Sequence, residues 1–82
     1  MKYRAKIEVS LKPGHTDPEG ETTNRSLKEL GYPVSEVNVS KVYNVTLEAQ
    51  NTQEAKAKAE EMAKRLLANP TKDNFTVTVE EQ

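Results

Sequence analysis

The chain has no cysteine, no tryptophan, one phenylalanine, three glycines and four prolines among its 82 residues. Without cysteine, disulfide staples and thiolate-held metal centres are excluded. Only 34% of the residues are hydrophobic and 5% aromatic, and a chain of this length already buries a low fraction of its surface on folding. Small proteins with such thin cores are completed by disulfides, metals or further subunits. Composition therefore predicts a single small domain that is stable as an oligomer rather than as a monomer.

No charge sign dominates. Twelve basic and 13 acidic residues leave a net charge of −1, so there is no broad field to draw nucleic acid or an anionic membrane. No apolar run approaches the length of a membrane span, and the opening Met1–Val9 segment alternates charged and apolar residues, unlike a signal peptide. The expectation is a cytoplasmic protein with no membrane and no nucleic-acid partner.

What is present is organised around residues 11–32. A strand ends at Leu11-Lys12 and is broken by Pro13-Gly14. Asp17 can cap a helix whose first position suits Pro18, and Glu19 and Glu21 complement the positive end of its dipole. Gly20, Thr23, Leu27 and Leu30 share one face. Gly31 stops the helix in a left-handed conformation, and Tyr32 can fold back on Leu27.

On either side the periodicity changes. Residues 2–12 alternate with period two, Tyr3, Ala5, Ile7, Val9 and Leu11 on one side and charged or polar residues on the other, which predicts a half-buried strand in an antiparallel sheet with helices on one face. Residues 34–49 are also extended, with Val37, Val39, Tyr43, Val45, Leu47 and Ala49 on one side, interrupted by Lys41. A ferredoxin-like fold would cut here into a hairpin. Ser40-Lys41-Val42 has none of the glycine-containing pairs that tight hairpins favour, so one long strand with a bend or bulge at Ser40-Lys41 is predicted. At about 3.3 Å per residue it would outreach so small a domain, leaving its exposed edge around Val39, Lys41, Tyr43 and Val45 to pair with another subunit.

A second helix is predicted from Asn51 to Ala68. Asn51 and Glu54 form its start, and Ala55, Ala59, Met62, Ala63, Leu66 and Leu67 its buried stripe. Lys56–Glu60, Glu60–Lys64 and Glu61–Arg65 are spaced as surface ion pairs, and Asn69-Pro70 ends the helix. A last strand, residues 74–80, buries Phe75, Val77 and Val79. The fold class is α+β, in the order β-α-β-α-β with a long bent central strand.

Candidate chemistry is sparse. Gly14 and Gly20 precede or open a helix, but neither GxxxxGK[ST] nor GxGxxG is present, and Asp17, Glu19 and Glu21 would repel an anion there. His15, the only histidine, lies among alternate acidic residues that do not converge as metal ligands. No nucleophile sits beside a base in a recognisable motif. Catalytic, cofactor-binding and metal-ligating residues are therefore all expected to be absent. An RNA-reading sheet stacks bases on open-face aromatics, whereas Tyr3, Tyr43 and Phe75 fall on the core side.

The run Leu11-Lys12-Pro13-Gly14, then Asp17-Pro18-Glu19-Gly20, then Ser26-Leu27-Lys28-Glu29-Leu30-Gly31-Tyr32 resembles the PurS family. Glu36-Val37-Asn38-Val39-Ser40-Lys41 and Leu66-Leu67-Ala68-Asn69-Pro70 follow at matching distances. The resemblance covers nearly the whole chain. It departs at Thr23-Asn24, where more apolar residues are expected, and at Ser40, where glycine is usual. It implies the small subunit of phosphoribosylformylglycinamidine (FGAM) synthase in purine synthesis, a segment-exchanged homodimer related to the ferredoxin-like fold, or a tetramer of such dimers. It also implies a non-catalytic role, joining a glutaminase subunit to a synthetase subunit that uses ATP and magnesium, so that ammonia passes between their sites. Two other classes remain: a regulatory domain binding a small molecule at a subunit interface, and an RNA-binding module.

Overall fold

Strict alternation gives the first strand one buried face, and pairing on both of its edges places it in the middle of the sheet. The computed structural model describes all 82 residues. In β1 (Lys2–Leu11), Tyr3, Ala5, Ile7 and Val9 are buried on one face while Lys2, Arg4 and Lys6 are exposed on the other. β1 pairs antiparallel with β2 (Lys41–Glu48) and with β3 (Asp73–Glu81), giving a three-stranded sheet in the order β2-β1-β3. Both registers are unbroken, Lys2 facing Glu48 through to Val9 facing Lys41, and Tyr3 facing Glu81 through to Leu11 facing Asp73.

One helix covers the apolar face. α2 (Thr52–Met62) starts at Asn51, whose side-chain oxygen accepts the Glu54 N–H at 2.8 Å. Ala55, Ala59 and Ala63 are fully buried, and their small side chains let the helix lie close to the strands. Ala59, Ala63 and Ala68 pack with Ala5, Ile7 and Val9, while Ala55 joins Tyr3 and Ala49 in a second cluster. The helix continues as a π-helical turn, Ala63–Leu67, closed by the Ala68 N–H on the Ala63 carbonyl at 2.8 Å. The wider turn shifts the phase of the face. Leu67 and Ala68 stay inward while Leu66 is 83% exposed, which corrects its place in the predicted buried stripe. The predicted Glu61–Arg65 ion pair forms, at 3.1 Å. The other close pair on this helix is Glu54–Lys58, and the predicted Lys56–Glu60 and Glu60–Lys64 pairs do not form.

α1 (Pro18–Glu29) has the expected ends. Asp17 Oδ1 accepts the Gly20 N–H at 2.9 Å. At the other end Gly31 has φ +95°, with Tyr32 N–H on the Leu27 carbonyl and Gly31 N–H on the Lys28 carbonyl, the pattern of a Schellman stop. Its predicted position is corrected. The sheet packs substantially only with α2, and α1 stands off it, so that one helix rather than two covers the face. Of its expected inner face, Gly20 is buried and Leu27 half-buried, but Thr23 is exposed and Leu30 is 73% exposed.

The long second strand is corrected as well. β2 begins at Lys41, and residues 33–40 have no sheet partner. No bulge occurs at Ser40-Lys41, since the ladder with β1 is continuous from Lys41 on. β1 lies in the middle of the sheet and β2 at its edge. Residues 34–40 return alongside α1 instead: Asn24 Nδ2 donates to the Ser35 carbonyl at 3.1 Å, and Asp17 Oδ2 accepts the Val39 N–H at 2.9 Å. α1 and this return segment form an arm. The molecule measures 50 × 27 × 14 Å with a radius of gyration of 16.1 Å, against about 12 Å for a compact chain of this length.

Candidate interaction surface

Three features are left open by the fold. The first is the sheet face over β2. Tyr43, Val45 and Leu47 point to the α2 side at the margin of the core, but α2 lies over β1 and β3, so they stay half-buried. Beside them, Lys58, Glu61, Met62, Arg65 and Leu66 line a shallow groove of about 410 Å³ along α2.

The second is the outer edge of β2. Ala49 N–H donates to the Met1 carbonyl at 3.0 Å, which marks the odd-numbered residues of β2 as those hydrogen-bonded to β1. In an antiparallel ladder the alternate residues then face away, so the N–H and C=O groups of Val42, Asn44, Thr46 and Glu48 line a free edge. The third is the arm, whose Leu30 and Tyr32 are 73% and 57% exposed.

A cleft of about 390 Å³ marks the root of the arm, with Val9, Val39 and Leu67 among its apolar lining and Lys41 near Asp17 and Asp73. Asp17 is held below its ordinary ionisation range, first by the Val39 N–H and then by the Gly20 N–H, both of which favour the carboxylate. Of the residues singled out in the sequence, Lys41, Tyr43 and Val45 share one face of β2, and Val39 lies just before it at the hinge. Lys41 is exposed and has no carboxylate within ion-pair distance.

His15 is exposed on the turn before α1, and no group of three or more His, Asp or Glu side chains is arranged to hold a metal. Tyr3, Tyr43 and Phe75 face α2 rather than the open face of the sheet. No helix is long and apolar enough to cross a membrane. Sequence reasoning missed Leu66 as open surface and the half-buried Met62 as groove lining. The helical repeat alone cannot show a π turn, and the only signal was the number of apolar positions, more than one sheet-facing stripe needs.

These features define a small α+β chain whose apolar surface and strand edges are left open. The family model for PurS, phosphoribosylformylglycinamidine (FGAM) synthase, matches residues 4–81. The chain is 39% identical over 79 residues to the phosphoribosylformylglycinamidine synthase subunit PurS of Methanocaldococcus jannaschii, covering 95% of each. Its fold is similar to that of Thermus thermophilus PurS, with a TM-score of 0.91, 38% identity and coverage of 100% and 99% of the two chains. It is also similar to a chain of the structure of PurLQS from Thermotoga maritima, with a TM-score of 0.89, 28% identity and coverage of 98% and 99%. The chain belongs to the PurS family.

Proposed function

We propose that this chain is the non-catalytic accessory subunit of FGAM synthase, acting in the cytoplasm as a dimer that bridges the glutaminase and synthetase subunits. The observation that carries this reading is a helix without a sheet beside a sheet without its second helix. Two copies supply each other's missing half. The α1 of one covers Tyr43, Val45 and Leu47 of the other, and residues 34–39 pair with the free edge of β2. Each sheet then has four strands, the added strand lying beside β2, which is a ferredoxin-like arrangement assembled by exchange.

The surface area fits the same reading. A folded monomer of 9.2 kDa exposes about 4,900 Å², whereas this chain exposes 6080 Å². The excess of about 1,200 Å² is larger than the roughly 800 Å² that each partner buries in a standard interface, as an exchanged arm would give. A right-handed crossover from β2 through α2 to β3, the usual hand, puts Met62 and Leu66 on the flank of α2 above β2, where the incoming helix would cover them. Val39 and Lys41 at the hinge and Tyr43 and Val45 on the face are the proposed dimer contacts.

The chemistry belongs to the partners. Ammonia released from glutamine by one subunit must reach the amide carbon that the other activates with ATP and magnesium, and displace the phosphate there. Holding the two sites together raises the effective concentration of ammonia and limits its loss to water. Sedimentation of the chain at micromolar concentration should show a dimer or larger, and the chain should co-elute with the synthetase and glutaminase subunits. A folded monomer that persists would overturn the exchange, and failure to co-elute would overturn the accessory role.

A further inference from the structure

β3 closes the sheet on the side opposite β2, so its outer edge stays open after arms are exchanged. Hydrogen bonding shows which groups face outward. Gln82 N–H donates to the Lys2 carbonyl at 2.9 Å and Lys12 N–H to the Lys72 carbonyl at 2.7 Å, at the two ends of one register. The two-residue alternation of an antiparallel ladder then turns the N–H and C=O groups of Asn74, Thr76, Thr78 and Glu80 toward β1. Those of Phe75, Val77, Val79 and Glu81 turn outward, and Asp73 gives its N–H to the Asn69 carbonyl.

An edge of this kind is normally guarded by lysine, proline, a bulge or a short strand. β3 is nine residues long and contains no lysine, proline or glycine, and its register is unbroken. Its charges lie only near the ends and are all acidic: Asp73, Glu80 and Glu81. Paired antiparallel with its own copy about Val77, it would set Asp73 against Glu81 in both halves, and like charges directly opposite destabilise a ladder. A second copy is therefore disfavoured in the register that uses the whole edge.

We infer that the outer edge of β3 receives an extended segment of one of the other subunits of the complex, apolar beside Phe75, Val77 and Val79 and carrying lysine or arginine opposite Glu80 and Glu81. This rests on the accessory-subunit reading above. Strand addition of this type draws affinity from main-chain hydrogen bonds and selectivity from side chains at alternate positions. Phe75, Val77 and Val79 are only half-buried, and an added strand would complete their cover.

The test is amide exchange on the isotopically labelled chain, alone and bound to the synthetase and glutaminase subunits, quenched and read residue by residue after dissociation. The amides of Phe75, Val77 and Val79 should exchange fast alone and at least tenfold more slowly in the complex, with Thr76 and Thr78 slow in both. Glu80→Lys with Glu81→Lys should weaken the complex at least tenfold and leave the chain's own oligomer unchanged. A complex in which the outward amides still exchange fast, or to which the charge-reversed chain binds equally well, overturns this inference alone. Outward amides already slow in the isolated chain would assign the edge to a second copy and overturn it too. If no complex forms with either subunit, the accessory reading falls and this inference with it.

Discussion

The carboxylate of Asp17 accepts the backbone N–H of Val39 at 2.9 Å, across 22 positions of sequence. Its other oxygen caps α1 through Gly20 at 2.9 Å. One side chain therefore ties together the two segments that lead from the sheet into the arm, and sets where α1 starts relative to the return segment.

Ionisation of Asp17 should make that tie pH-dependent. Its folded-state ionisation lies below the ordinary value of 3.8 because the Val39 and Gly20 amides stabilise the carboxylate. The contribution is therefore fully present above the unfolded value and is lost as pH falls through the lower folded value. Thermal melts of the native chain and Asp17→Ala should differ by a constant amount from pH 5 to 8, and the gap should narrow below about pH 4.

Gly20 is required by close approach rather than by its backbone angle. A Cβ there would lie 2.3 Å from the Val37 carbonyl oxygen, a backbone atom that cannot swing aside. Gly20→Ala should therefore destabilise by about 1–3 kcal/mol, as overpacking does, although alanine is the better helix former. Denaturant unfolding followed by circular dichroism checks the sign.

Lys41 lines the same cleft as Asp17 and Asp73, with no ion pair of its own. Lys41→Glu should weaken the proposed dimer while leaving helix content unchanged. A merely exposed lysine would tolerate the reversal within about 0.5 kcal/mol. Light scattering over a dilution series distinguishes these, and an unchanged oligomer would remove Lys41 from the interface.

His15 is exposed and contributes a backbone N–H to the Lys12 carbonyl at 3.3 Å. His15→Ala should leave glutamine-dependent amidine formation by the reconstituted complex within about twofold of native, since an exposed turn side chain away from a catalytic constellation has little effect on stability or chemistry.

Local chemistry made much of the fold legible. Alternation in residues 2–12 gave the first strand and its buried face, though not its place in the middle of the sheet; Asp17 with Pro18 and Gly31 gave both ends of α1, and Asn51 gave the start of α2. The destination of α1 was not legible, because an apolar helical face states that something must cover it and not which chain does so. The second strand was overextended for a related reason. Residues 34–40 have strand-like alternation, but a strand needs a neighbour, and β1 pairs with the second strand only as far as Val9 and Lys41. Leu66 was misplaced because the π turn at Ala63–Leu67 breaks the 3.6-residue repeat on which its burial was predicted. Among the candidate contacts, Tyr43 and Val45 were recognisable as apolar residues on one strand face. The exposure of that face depends on the displacement of α1, which only the tertiary arrangement reveals.

The central claim is that this chain carries ammonia transfer by geometry and not by chemistry of its own. Its most direct test compares glutamine-dependent with ammonia-dependent amidine formation by the synthetase and glutaminase subunits, with and without the chain. We predict that omitting the chain abolishes most of the glutamine-dependent rate and leaves the rate with added ammonia nearly unchanged. An equal glutamine-dependent rate without the chain would contradict the account.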